Sequence, residues 1–216
     1  MHKHAKLLMV ALTAAIALSL GAATANAARS FSATNNTLLT YVSPALSFRG
    51  GELQVICAVT LTASLHSTAA KTRGTLIGFI NGGRTERCRN SLGTGGTVGI
   101  ALVSHRSPWH LKLASFRGTL PRITEILFTI ELPEFLIGAN EPFGGFLGCL
   151  YRGRELGVET TGRTGAAEYT VERLRPQRNS SALSSEVLNT SIISCPAAGE
   201  LVGEFTATLP PVIRLI

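Results

Sequence analysis

The sequence predicts an all-β fold, a two-sheet antiparallel sandwich with barrel-like closure as the alternative. Three observations carry that expectation. From Glu52 to His66, Leu53, Val55, Cys57, Val59, Leu61, Ala63 and Leu65 recur at every second position, the spacing of a strand with one buried face. Strand-length apolar runs then follow one another, separated by turn-forming clusters such as Asn81-Gly82-Gly83, Gly93-Thr94-Gly95-Gly96 and Gly144-Gly145. Helical spacing is nearly absent, the one helical option being a short segment from Ser180 to Asn189.

Taken in order, Met1 to Ala27 reads as a secretory signal peptide. It has a basic start (His2, Lys3, His4, Lys6), an apolar run from Leu7 to Leu20 and an Ala25-Asn26-Ala27 cleavage pattern. Removing these 27 residues from 216 leaves 189, enough for a single β-sandwich domain over 28–216. Loss of Lys3 and Lys6 lowers the net charge from +7 to +5. The Asn/Thr-rich stretch 28–43 is expected to be an extended lead-in with at most an edge strand. After the Glu52–His66 strand, further strands are expected at Thr75–Ile80, Thr97–His105, Trp109–Phe116, Ile123–Leu132, Phe146–Arg152, Glu168–Leu174, Val187–Ser194 and Leu201–Thr208. Trp109 shares its face with Leu111 and Leu113, so it is expected to anchor the core.

Composition narrows the chemistry. All 13 acidic residues are Glu, which removes a Ser-His-Asp triad, a paired-Asp protease and an Asp-based calcium loop. After Ala27 the histidines are His66, His105 and His110, and the lysines are Lys71 and Lys112, against sixteen arginines. The most apolar later stretch, Ile123 to Gly138, is interrupted by Glu125, Glu131, Pro133 and Glu134, so no transmembrane segment is expected there.

Four cysteines in an exported chain imply two disulfides, with three connectivities open. Sequential strands tend to be neighbours, which favours Cys57–Cys88 and Cys149–Cys195. The spacings are too wide for a zinc ribbon. His105 and His110 bracket Arg106-Ser107-Pro108-Trp109, and as a hairpin this would set them opposite each other, but no third ligand comes with them. Neither a metal nor any other cofactor is therefore expected. The run from Gly93 to Gly99 fails the register of a dinucleotide-binding loop and precedes a strand. Arg152 with Arg154, and Arg173 with Arg175, fall at period two and form a candidate anion-binding surface. Few aromatics accompany them, so no specific nucleic-acid partner is expected.

Pro108-Trp109-His110-Leu111, the segment from Ser115 to Thr124, Cys149-Leu150-Tyr151-Arg152 and Cys195-Pro196 resemble uncharacterised secreted four-cysteine β-domain proteins of GC-rich bacteria, which also share a core like Val55-Ile56-Cys57. The resemblance covers most of Glu52 to Phe205 and implies no catalytic residue. The expectation is a secreted, non-catalytic β-domain, extracellular or associated with the cell surface, that binds an anionic envelope polymer or another surface component. The alternative is an extracellular hydrolase using His105 or His110 with a glutamate such as Glu125 or Glu131.

Overall fold

The computed structural model describes residues 30–33, 38–70, 72–90, 98–102, 108–140, 146–178, 182–187 and 196–215. The signal-peptide segment, the Gly93–Gly96 cluster, Gly144-Gly145, His105 and Cys195 lie outside them.

Sixteen strands are described: β1 (Ser30–Ala33), β2 (Leu39–Gly50), β3 (Leu53–Leu65), β4 (Thr68–Ala70), β5 (Leu76–Asn90), β6 (Val98–Leu102), β7 (Trp109–Thr119), β8 (Arg122–Glu131), β9 (Glu134–Asn140), β10 (Phe146–Arg152), β11 (Glu155–Thr164), β12 (Glu168–Pro176), β13 (Ala182–Val187), β14 (Ala198–Val202), β15 (Phe205–Ala207) and β16 (Val212–Leu215). Pairing is antiparallel throughout. Following the hydrogen bonds gives the circuit β12-β11-β8-β7-β5-β3-β2-β15, and β15 pairs back onto β12. The all-β expectation holds, with the sheet closing into an eight-stranded barrel that carries extra strands.

The closing strand is three residues long because its two neighbours are each shared. β2 meets β15 at Tyr41 and Val42, then passes a bulge between Ser43 and Leu46 and meets β14 at Ser47 to Arg49. The bulge falls at Pro44, a residue that cannot complete a ladder. β12 likewise meets β16 at Glu168 to Thr170 and β15 at Arg173 and Leu174. From these forks grow a small flap, β16-β1-β4, and a longer wing, β14-β13-β10-β9-β6. The wing curls round so that β6 packs against β5.

One buried cluster runs through barrel and wing. β3 behaves as its alternation predicts: Val55, Cys57, Val59, Leu61, Ala63 and Leu65 are all buried. In β7, Trp109, Leu111 and Leu113 point inward while His110 is exposed, as expected for Trp109. Its ring packs edge-on against Phe135 of β9, 5.1 Å between centroids. Where the wing meets the barrel, Phe48 of β2 and Tyr151 of β10 pack with tilted rings, 4.4 Å between centroids, and the Tyr151 hydroxyl donates to the Pro196 carbonyl at 3.1 Å.

Several expectations are corrected. Residues 39–43 are no lead-in or edge; they begin β2, which has partners on both sides. Asn81-Gly82-Gly83 is no turn, because β5 runs through it from Leu76 to Asn90 and pairs with β3 on both sides of a bulge. The Ser180–Asn189 helical option is replaced over its described part by β13, whose pairing with β10 and β14 overrides local propensity. The expected strands missed β9 and β11 altogether. The hairpin meant to set His105 opposite His110 does not form between its strands: β6 pairs with β9, and β7 with β5 and β8.

The expected Cys57–Cys88 bridge is present, joining β3 to the neighbouring strand β5. It sits at a second bulge, where Cys57 faces the Arg87–Cys88 step and Arg87 takes φ 51°. Cys149, 1% exposed, is disulfide-bonded as well. The other end of the expected Cys149–Cys195 pair lies outside the described residues. Another bulge, between Thr161 and Gly162 of β11, depends on glycine: a Cβ at position 162 would lie 1.8 Å from the Thr170 carbonyl oxygen.

Candidate functional site

Alternation turns apolar side chains into the barrel and charged ones out, the inverse of a barrel whose outer face meets lipid. Among the described residues no helix is long and apolar enough to cross a membrane. Inside, packing leaves a cavity. Tyr41, Leu61, Trp109, Phe128, Val158 and Phe205 are among its walls, and Phe135, Leu201 and Ile213, from strands outside the barrel circuit, help to complete it. Among the described residues every lining side chain is hydrocarbon except Tyr41 and Trp109. Tyr41 reaches the interior because Leu39, Tyr41 and Ser43 share the inward face of β2. Burial pushes its phenol pKa up, so the hydroxyl stays protonated and neutral.

The titratable groups sit elsewhere. On the outer face, His110 of β7 and Glu131 of β8 come together, with His110 Nδ1 3.4 Å from Glu131 Oε2. Lys112 also hydrogen-bonds to Glu131. That ammonium, with a smaller contribution from His110, holds the Glu131 carboxyl below the usual carboxylate range, against the opposing effect of its partial burial. The histidine–glutamate contact is longer than a good N–H···O bond, and His110 is about half exposed. An ion pair of that kind is worth about 0–1 kcal/mol. Phe79 of β5 lies between His66 and His110, with ring centroids 5.4 and 5.5 Å away. Of the two glutamates weighed for a hydrolase, Glu131 therefore meets a histidine, whereas Glu125 pairs with Arg117 at 3.1 Å. Neither His110 nor Glu131 lines the interior cavity. Among the described residues no three His, Cys or Glu side chains gather as a metal site would require.

The four candidate anion-binding arginines do not form one face. Arg152 ends β10 and pairs with Glu134 at 2.7 Å. Arg154 lies beyond that strand, in the link to β11, so the expected period-two pairing of Arg152 with Arg154 fails. Arg173 and Arg175 do share the outer face of β12, where both are exposed. They converge on Glu204, at 3.3 and 2.9 Å. β10 and β12 are not neighbours in the sheet.

Sequence reasoning missed Tyr41 and the cavity together. The Leu39-Tyr41-Ser43 alternation was available, but the Asn/Thr-rich residues before it and Pro44 after it disguise a strand. No family model matches this chain, and neither a curated protein nor a solved structure matches it.

Proposed function

We propose that the chain is exported and acts outside the cell as a non-catalytic binding barrel. One observation carries this reading: concavity and reactive chemistry are segregated. Among the described residues the interior offers no acid, base or nucleophile other than a tyrosine held neutral, whereas the His110–Glu131 pair stands on the convex outer wall. A hydrolase needs those groups convergent in one water-excluding pocket. Binding needs only the pocket.

The disulfide accords with an oxidising compartment outside the cytosol, and the first 27 residues supply the route. Arg152, Arg173 and Arg175 are engaged by glutamates, which lessens the attraction of this surface for an anionic envelope polymer. The interior is therefore the favoured site. Protein recovered from culture medium should give an intact mass and N-terminus for a chain starting at Ala28, within a residue; full-length chain retained in the membrane fraction would contradict export.

The test of the non-catalytic reading is turnover. The purified mature domain should leave ester, phosphate and glycoside reporter substrates at their uncatalysed rates, and His110→Ala should behave identically. Saturable hydrolysis that disappears in both His110→Ala and Glu131→Gln would establish the hydrolase instead.

A further inference from the structure

Among the described residues four large apolar side chains stand exposed: Leu38 at 60%, Leu120 at 41%, Leu132 at 69% and Leu209 at 66%. Single exposed leucines are ordinary on protein surfaces. The placement of these four is not, because three of them share one end of the barrel. Leu38 precedes β2, Leu120 follows β7 and Leu209 follows β15. The run of antiparallel pairs β15-β2-β3-β5-β7 brings the start of β2 and the ends of β7 and β15 to the same rim. Leu132 follows β8, which is antiparallel to β7, and so lies at the opposite end.

Cations accompany the three leucines. Arg122 opens β8 beside Leu120, and Arg73 stands in the link that enters β5 at the same end. Both are exposed, and neither forms an ion pair among the described residues. The glutamates toward this end are already held, Glu125 by Arg117, Glu168 by Arg214 and Glu172 by Arg163. The rim therefore carries uncompensated positive charge beside its apolar points. The β7–β8 turn is the most prominent of these, exposed from Arg117 through Arg122. Gly118, with φ 110°, shapes it: a Cβ there would lie 2.4 Å from the Arg122 carbonyl oxygen.

We propose that this end of the barrel docks onto an anionic lipid surface. Leu38, Leu120 and Leu209 enter the headgroup layer, and Arg73 and Arg122 meet the lipid phosphates. Three leucines on separate turns suit a soft, continuous surface better than one shaped protein pocket. The barrel itself stays outside the bilayer, in keeping with its charged outer wall. The proposal goes beyond the non-catalytic binding reading and does not depend on it.

Vesicle flotation with the mature, disulfide-intact domain tests it, comparing phosphatidylglycerol–phosphatidylcholine mixtures with phosphatidylcholine alone. Half of the protein should bind at about 1 mM anionic lipid or less, and at least about tenfold more weakly to neutral vesicles. Arg122→Gln should weaken binding about fivefold, and Leu120→Ser about fivefold as well. Leu132→Ser, at the far end, should leave it within about twofold. Should Leu120→Ser fail to fold, Leu209→Ser takes its place with the same expected loss. No binding to anionic vesicles would overturn the proposal. So would binding that survives the serine variants at the rim, or falls equally in Leu132→Ser, since either marks adsorption of a basic protein to any polyanion. None of those results touches the non-catalytic reading, which falls only to turnover.

Discussion

Removing Oγ1 of Thr160 should cost at least about 3 kcal/mol of folding stability, from one atom in the wall of the barrel. β8 and β11 pair from Glu131↔Glu155 as far as Leu127↔Glu159, and there the ladder ends. The next residue of β11 is Thr160, 1% exposed, and its side chain replaces the missing backbone pair. The hydroxyl accepts from the Ile126 N–H at 3.0 Å and donates to the Ile126 carbonyl at 2.8 Å. With its one proton engaged there, Tyr169, 3.2 Å away and fully buried, acts as donor to the same oxygen. Thr160→Val keeps the volume and leaves three buried polar groups without partners, each worth about 1–3 kcal/mol. Thr160→Ser keeps the oxygen and loses a methyl, a change of about 1 kcal/mol. Denaturant unfolding of the three proteins measures both. Equal losses in the two variants would mean that packing, not the hydroxyl, holds β8 to β11 at this point.

The second large effect belongs to the disulfide. Cys57 and Cys88 are 31 residues apart, and closing a loop of that length contributes about 3–4 kcal/mol in the chain-entropy description. Domains are stable by only about 5–15 kcal/mol. The Cys57→Ala/Cys88→Ala double variant should therefore melt on the order of 10 °C below the parent. Peptide mapping without reductant should recover Cys57 linked to Cys88, and Cys149 linked to Cys195. A melting temperature within about 2 °C of the parent, or a Cys57–Cys149 peptide, would refute this assignment.

What the sequence made legible followed from strands that bury one face and expose the other. β3 and β10 were placed from alternation or from an apolar run bounded by turn residues, and β10 was bounded as it stands, Phe146–Arg152. Where a residue's local preference and its tertiary pairing disagree, the pairing won. Asn81 and its two glycines read as a turn, yet Gly82 and Gly83 pair with Thr62 and Leu61 of β3 while Asn81 is taken up by the bulge between them and Ile80. Long β11 escaped notice because Thr161, Gly162 and Arg163 are all exposed, so its second half has no apolar stripe. The site was less legible than the fold. Charged residues advertise themselves in a sequence, and His110, Glu131 and the arginines drew notice for that reason. A cavity has no sequence signal of its own: it is set by how eight strands close and by what Phe135 and Leu201 bring from the wing. Tyr41, in its wall, looks like any core aromatic.

Closure of the barrel underlies the cavity and the separation of interior from chemistry. It depends on Thr206, which faces Arg173 of β12 on one side and Val42 of β2 on the other. Nuclear Overhauser spectra of the labelled mature domain address it directly. Cross-strand contacts from Thr206 to both Arg173 and Val42, with a further contact between Ala207 and Tyr41, are the predicted result. Contacts to one neighbour alone, with the Tyr41 ring open to solvent, would describe two facing sheets with an open seam and contradict the account.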